Sequence, residues 1–496
     1  MLWRFFRNFV PFCEESYRMK PRNIVFFIIF VLVGLALLCM LFPNGGIRLG
    51  NTTLRFPRLT EVLDVPEEPV DTDTVAVLSP EEIMEQRLAA LKTEKMDEFN
   101  AYCQKDAARL YLPDDDETYL DAFFEKMQNA GKRHLRILHY GDSQIECDRI
   151  TSFLRQEFQD EFGGCGVGLI PALQTVPTYT TSQSLAGGHA VQYMAFGPRD
   201  LRGNSDFYGP MAKRTELSDT ATINISARGG KDYSHSCTFN KVTVMTKDAA
   251  QLNLMVRGDT IALDSANVGE MYFYTARLGR GASVATIGVK GHASILGIQL
   301  DGSGGVNVDN LPMRGCSGPE LMNINRASMR PFLARENVGL ILLQYGGNSV
   351  PYLTKAKLPG YKERMKNMIG MFRQMSPDAR IVFIGPSDMA NVDTTGAVRS
   401  YSILPEAVKT LREAANESGA AFWNMYDVMG GNGSMSKWVR SGLAGSDYVH
   451  FTPSGAKKMA HMLYETLQFY YKFYRFRSGQ DKVELPEEDS LTVDSL

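Results

Sequence analysis

The sequence predicts a doubly wound, three-layer α/β/α sandwich that carries an inserted β-rich domain and follows an N-terminal transmembrane helix. Three observations predict this. Between about 130 and 475, short apolar runs alternate with amphipathic helical patterns, as in a parallel sheet with helices on both faces. From about 172 to 293 helical periodicity fades and short alternating runs replace it, the texture of a sandwich or jelly roll. Ile24–Phe42 is uncharged and rich in Phe, Ile, Leu and Val, close to the ~20 residues that span a bilayer as a helix.

Ahead of that stretch lie Arg4, Arg7, Arg18, Lys20 and Arg22 against Glu14 and Glu15. The positive-inside rule keeps residues 1–23 in the cytoplasm and sends the rest across the inner membrane, to the periplasmic or extracellular side. A cleaved signal peptide would have a shorter apolar core and a small-x-small site, whereas Pro43-Asn44-Gly45-Gly46 follows here. A retained single-pass helix over 24–42 is the expectation. Residues 43–80 have the acidic, proline-bearing composition of a solvated linker. Ser79 then caps a helix with Pro80 in its first turn, running to about Ala107. A second helix over about Glu117–Ala130 completes the lead-in to the sandwich within 81–171.

The pivotal stretch is His134–Phe153. Leu135–Tyr140 is an apolar strand that stops at Gly141-Asp142-Ser143, and Ile145, Ile150, Phe153, Leu154 and Phe158 continue as a helical pattern. Ser143 thus sits at the carboxyl end of a strand, where open α/β sheets place their sites, and at a helix start that favours developing negative charge. The glycines from Gly163 to Gly168 form a loop, because no Lys-Ser/Thr completes a phosphate-binding motif. Alternating runs at 221–227, 241–245, 252–256 and 283–289 mark the inserted domain of 172–293. The sandwich resumes over 294–477, with buried strands at Val338–Gln344, Arg380–Ile384 and Ala420–Asn424. Helices are expected near Pro319–Arg335, Tyr361–Gln374, Pro405–Ser418 and from Pro453 to about Arg475, before a disordered acidic tail over 478–496.

Composition narrows the classes. The 496 residues are 44% hydrophobic and 22% charged, ordinary for globular domains, and the net charge of −3 gives no reason to expect nucleic acid as a partner. The seven cysteines show no CxxC and no metal-ligand spacing, so they read as free or buried thiols. No dinucleotide-binding glycine pattern is present. Neither a metal nor an organic cofactor is called for.

Three further points converge on Ser143. Asp447-Tyr448-Val449-His450 precedes the last helix; a serine hydroxyl needs a base, and the base needs a partner that fixes its tautomer. Tyr345-Gly346-Gly347-Asn348 follows the strongest buried strand, where an amide can donate to an oxyanion and Gly346 permits close backbone approach. Gly315-Cys316-Ser317-Gly318 opens another helical segment, and the Gly318 N–H is a further candidate donor.

In this order, Gly141-Asp142-Ser143, Gly318, Gly346-x-Asn348 and Asp447-x-x-His450 resemble the four blocks of the SGNH (GDSL-type) hydrolases, over about 130–470. The resemblance implies a flavodoxin-like α/β/α fold with Ser143 as nucleophile, His450 as base and Asp447 as its orienting acid. It also implies an oxyanion hole from the N–H groups of Ser143 and Gly318 and the Asn348 side chain. Within the family, the chain is similar to the peptidoglycan O-acetylesterase branch in GDSQIECDRITSFLRQEFQDEFGGCGVGLIP, Ile384-Gly385-Pro386-Ser387-Asp388, Gly442-Leu443-Ala444 and an inserted, jelly-roll-like β domain of carbohydrate-binding character between the first two blocks. It departs at Gln144, commonly His there, and at Ser349, where an acid is frequent. The implied activity is that of a membrane-anchored esterase removing O-acetyl groups from peptidoglycan or another glycan. Two alternatives stand beside it: an O-acetyltransferase with a membrane acyltransferase partner, and a non-catalytic glycan-binding protein.

Overall fold

The computed structural model describes residues 21–42, 47–49, 52–54 and 80–481, in two compact units, Met1–Met84 and Glu85–Leu496. In the first, a helix runs over Pro21–Leu41 with Phe30 and Leu41 strongly exposed. Among the residues whose side chains are described, no helix is long and apolar enough to cross a membrane. A small antiparallel hairpin pairs Ile47–Leu49 with Thr52–Leu54, inside the segment expected to be linker. Residues 1–20, most of 43–80 and 482–496, on which the cytoplasmic terminus, linker and acidic tail were expected, lie outside the described residues.

The second unit is built on a six-stranded sheet. Its spatial order is Val306–Pro312, Leu135–Gly141, Val338–Gln344, Arg380–Ile384, Ala421–Trp423 and Leu110–Tyr111. The first five strands are parallel and the last is antiparallel. Counting Leu135–Gly141 as first, the parallel order is 2-1-3-4-5, the flavodoxin-like arrangement, with its switch point between Leu135–Gly141 and Val338–Gln344. Successive residues of a strand face opposite sides, which explains the unbroken apolar runs. Leu138, Tyr140, Ile341, Leu343 and Phe383 pack against helices Leu358–Met375 and Leu404–Glu417. Ile137, Leu340, Leu342, Val382 and Ile384 pack against helices Thr151–Phe162 and Pro453–Arg477. Truncating one such side chain, as in Leu342→Ala, removes about 2–5 kcal/mol.

Ten strands from Gly168–Ile170 to Ala293–Asp301 form one antiparallel sheet. The long strand Lys213–Ala227 pairs with Thr181–Met194 on one edge. On its other edge the partner changes from Ala293–Asp301 to Val284–Lys290. The change falls around Asp219, whose φ is 65°, opposite a register slip at Gly187 and Gly188. Such a bulged bend carries a strand from one layer into the next, so the layers stay joined in one hydrogen-bonded sheet. Entry and exit strands pair directly, Gly168–Ile170 with Ile298–Leu300. The strands of this sheet therefore run from Gly168 to Asp301, around the 172–293 expected for the inserted domain. The module has a core of its own, in which Ile223, Val244, Ile287 and Ile298 pack together, and it also joins the sandwich: Met211, Phe273 and Leu296 share one cluster with Leu138 and Tyr140. Arg136, on the Ser143 strand, is buried between Asp301 and Asp309 at 2.5 and 2.6 Å.

Three local expectations change. The helix after Ser143 begins only at Thr151, behind a 3-10 turn over Glu146–Asp148 in which Cys147 and Asp148 have φ of 66° and 64°. Buried Asp148 accepts two bonds from Arg155 and one from Thr180, which outweigh continuous helix there. The helix expected over Pro319–Arg335 is broken into Pro319–Asn323, Arg326–Ser328 and Arg330–Arg335, with Asn325 capping the second piece. The parallel edge strand Val306–Pro312 was not anticipated, because its buried positions include Asn307 and Asp309.

Candidate active site

Ser143 and Asn348 follow the two strands that flank the switch point, and His450 comes from the segment leading into the last helix. Thr452 caps that helix by accepting from the Gly455 N–H, with Pro453 in its first turn. Ser143 Oγ lies 2.8 Å from His450 Nε2. His450 Nδ1 lies 2.7 Å from Asp447 Oδ2. Asp447 Oδ1 accepts from the N–H groups of Val449 and His450, each at 3.0 Å. Burial raises the Asp447 pKa, but the His450 ring and these two N–H groups outweigh it and hold the carboxyl below its usual range. An ionised Asp447 fixes the proton on Nδ1 and leaves Nε2 free to accept the Ser143 proton.

Asp142 is the second hub. Its Oδ1 accepts from the Gln144 N–H at 2.9 Å and its Oδ2 from Asn348 Nδ2 at 3.0 Å. Burial pushes its pKa up to about 6, against the Gln144 N–H, the His450 charge and the Asn348 amide. Asn348 Nδ2 also donates to the Cys316 carbonyl at 3.1 Å, and the Gly318 N–H donates to Cys316 Sγ at 3.3 Å. Asn348 and the Gly315–Gly318 loop therefore adjoin each other. Gly318 has φ of 109°, and a Cβ there would meet Met368 and Tyr345 at 3.1–3.2 Å, so no larger residue fits without a shift. Gly346, with φ of 124°, is constrained in the same way by Leu411 and Pro386. Gly141 closes the Ser143 strand, where a Cβ would meet Ile145 at 2.9 Å.

Two hollows meet at Asn348 and Tyr352. A cavity of about 250 Å³ is lined by Ser143, Gln144, Gln344, Asn348, Tyr352 and Val449. A larger cleft beside it is lined by Phe196, Ser317, Asn348, Tyr352 and Arg364. Tyr352 is 74% exposed between them. A second histidine lies nearby, but His139 is buried between Thr151 Oγ1 and Gln344 Oε1, each at 3.0 Å, and burial lowers its pKa to about 4. It stays neutral and does not touch the nucleophile. The loss of the expected helix start also removes the helix dipole from Ser143; what surrounds this serine is side chains and loop N–H groups.

Sequence reasoning singled out Ser143, Asp447, His450, Asn348 and Gly318, and the structure gathers them at the carboxyl end of the sheet. It did not assign work to Gln144, whose side chain binds both sides of His450, nor to Arg314. The Arg314 guanidinium grips the Glu146 carboxylate at 2.8 and 3.1 Å through Nε and ties the Gly315–Gly318 loop to the Ser143 turn. The acid at position three before His450 was visible because it is local; these two pairs join distant parts of the chain.

Fold and site together define a serine-hydrolase arrangement on a flavodoxin-like sheet. The model of the GDSL-like Lipase/Acylhydrolase family matches residues 274–458. That span includes Gly318, Asn348, Asp447 and His450; Ser143 lies outside it, and the central sheet brings it in. No curated protein sequence matches the chain. Among solved structures, one titled "Peptidoglycan O-acetylesterase in action" is similar at 22% identity. It covers 71% of this chain and 96% of that one with a TM-score of 0.57, a likeness of fold. A Bacillus subtilis protein (13% identity, 56% of this chain and 87% of that one, TM-score 0.27) matches more weakly. So does a family two carbohydrate esterase from Clostridium thermocellum in complex with cellohexaose (12%, 56% and 98%, 0.26). Neither of these two carries an argument.

Proposed function

We propose that this chain is a membrane-anchored, extracytoplasmic serine esterase that removes O-acetyl groups from a glycan, with peptidoglycan the leading substrate. The observation that carries the reading is the relay of Ser143, His450 and Asp447, at 2.8 and 2.7 Å, opening on a cavity of about 250 Å³. That volume falls below the ~300–1,000 Å³ of sites for larger ligands and suits a short acyl group. The similar fold of a protein titled a peptidoglycan O-acetylesterase agrees with the choice of substrate. The uncharged Ile24–Phe42 stretch with its basic amino-terminal flank supports the anchor and the inner-membrane location.

In this mechanism His450 Nε2 takes the Ser143 proton as Oγ attacks the acetyl carbonyl. The resulting oxyanion is stabilised by the N–H groups of Ser143 and Gly318 and by the Asn348 amide, which leaves the Cys316 carbonyl to bind it. Protonated His450 then gives its proton to the departing sugar oxygen, leaving acetyl on Ser143. Water, deprotonated by the same nitrogen, attacks that ester and releases acetate. A sugar hydroxyl in place of water would give the transferase, the outcome to be tested against. The test is acetate release from O-acetylated peptidoglycan and from small activated esters by the purified chain. A folded chain that releases no acetate, yet moves acetyl to a glycan from a donor, would make the transferase the right reading. Glycan binding with neither reaction would make it a binding protein.

A further inference from the structure

We infer that Gln144 is a positioning residue that ties the base to the nucleophile, an inference that rests on the serine-hydrolase reading above. Gln144 is 7% exposed and directly follows Ser143. Its Nε2 donates to the Val449 carbonyl at 2.6 Å, and its Oε1 accepts from the Phe451 N–H at 3.3 Å. One amide thus grips the residue before His450 and the residue after it. In an extended segment, the C=O of residue i−1 and the N–H of residue i+1 point to one side, and the N–H and C=O of residue i to the other. His450 fits that pattern: its own N–H donates to Asp447 Oδ1, and its C=O accepts from the Gly445 N–H at 2.8 Å. The backbone around His450 is therefore held on both sides, once by its own hairpin and once by the side chain adjoining the nucleophile.

The other ties of the segment lead elsewhere. Ala444 bridges Phe451, Leu443 accepts from the Thr452 N–H, and the Tyr448 carbonyl accepts from the Ala390 N–H. These fix the fold of the loop but not its distance from Ser143. The Gln144 N–H, in turn, is fixed by Asp142, the carboxylate that also holds Asn348. Nucleophile, base and oxyanion amide thereby share one frame, with Gln144 as the arm that reaches the base. The arm must donate at one end and accept at the other, which an amide does.

The test uses the full chain in detergent with Gln144→Leu and Gln144→Met, each of which removes both bonds. Three quantities are read: kcat and KM on p-nitrophenyl acetate, the rate of Ser143 labelling by a fluorophosphonate probe, and the melting temperature. Displacing the base by a fraction of an ångström should slow kcat and labelling together by roughly 10–100-fold, with KM within about twofold. Met is uncharged and close to Gln in volume, so the melting temperature should hold in Gln144→Met, and a Gln144→Leu that fails to fold leaves that variant to decide. Wild-type rates of labelling and turnover in Gln144→Met would overturn the inference alone. A wild-type chain that the probe does not label would overturn the nucleophile assignment, and this inference with it.

Discussion

Replacing Asp447 by Asn tests the relay without changing its shape. In the wild type, Oδ2 faces His450 Nδ1 at 2.7 Å while Oδ1 accepts from two backbone N–H groups at 3.0 Å. An Asn side chain keeps those two bonds only with its oxygen in the Oδ1 place, which turns its NH2 toward Nδ1. His450 must then accept at Nδ1 and carry its proton on Nε2, facing Ser143, so it cannot take the serine proton. Where such an acid is buried, this swap lowers kcat by about 10⁴. The Asp447 side chain is 51% exposed, so water competes for Nδ1 and part of the correct tautomer survives. The expected loss is therefore about 10²–10³ in kcat, or ~2.7–4 kcal/mol of barrier. The assay is p-nitrophenyl acetate hydrolysis beside a thermal melt, which should be nearly unchanged. A folded Asp447→Asn variant with kcat within about threefold of wild type would refute the tautomer argument.

Asn348→Ala should lower kcat by roughly 10²–10³ with little change in KM, because one oxyanion donor is lost; steady-state kinetics on a small ester decides it. Asp142 titrates near 6 in the folded chain against ~3.9 unfolded, so the folded state binds its proton more tightly. Its stabilising contribution is present below about pH 4 and is lost as pH rises to about 6. Asp142→Asn lacks this titration, so urea unfolding should show the variant gaining up to about 3 kcal/mol on wild type between pH ~4 and ~7. A gain in the opposite sense would show that burial does not control this carboxyl. Tyr352→Ala should raise KM for O-acetylated glycan roughly tenfold, ~1.4 kcal/mol, and affect small esters less, if its exposed ring carries a sugar; equal effects on both would remove that role.

The sheet was legible where burial is apolar on both faces. Val338–Gln344 and Arg380–Ile384 carry unbroken apolar runs that a solvent-facing strand would not. Val306–Pro312 escaped because Asn307 and Asp309 occupy buried positions, made tolerable by groups from other strands: Arg136 donates to Asp309, and Asp301 accepts from Asn307. The helix start after Ser143 was misplaced for a similar reason: the left-handed Cys147 and Asp148 are held by Arg155 and Thr180, contacts that no local pattern contains. The change of layer around Asp219 explains why the inserted strands read as separate short runs, when Lys213–Ala227 is one long strand with a bend. At the site, Asp447 and His450 announce themselves by spacing. The amide of Gln144 becomes meaningful only once Val449 and Phe451 are beside it.

The central claim is that Ser143 carries the acyl group, and mass spectrometry of the chain quenched during turnover of an activated acetyl ester tests it most directly. The account predicts a single acetyl adduct on the peptide containing Ser143, absent in Ser143→Ala, and accumulating in Asn348→Ala only at a reduced rate. A wild-type chain that turns over the ester with the adduct on another residue, or an undiminished rate in Ser143→Ala, would contradict it.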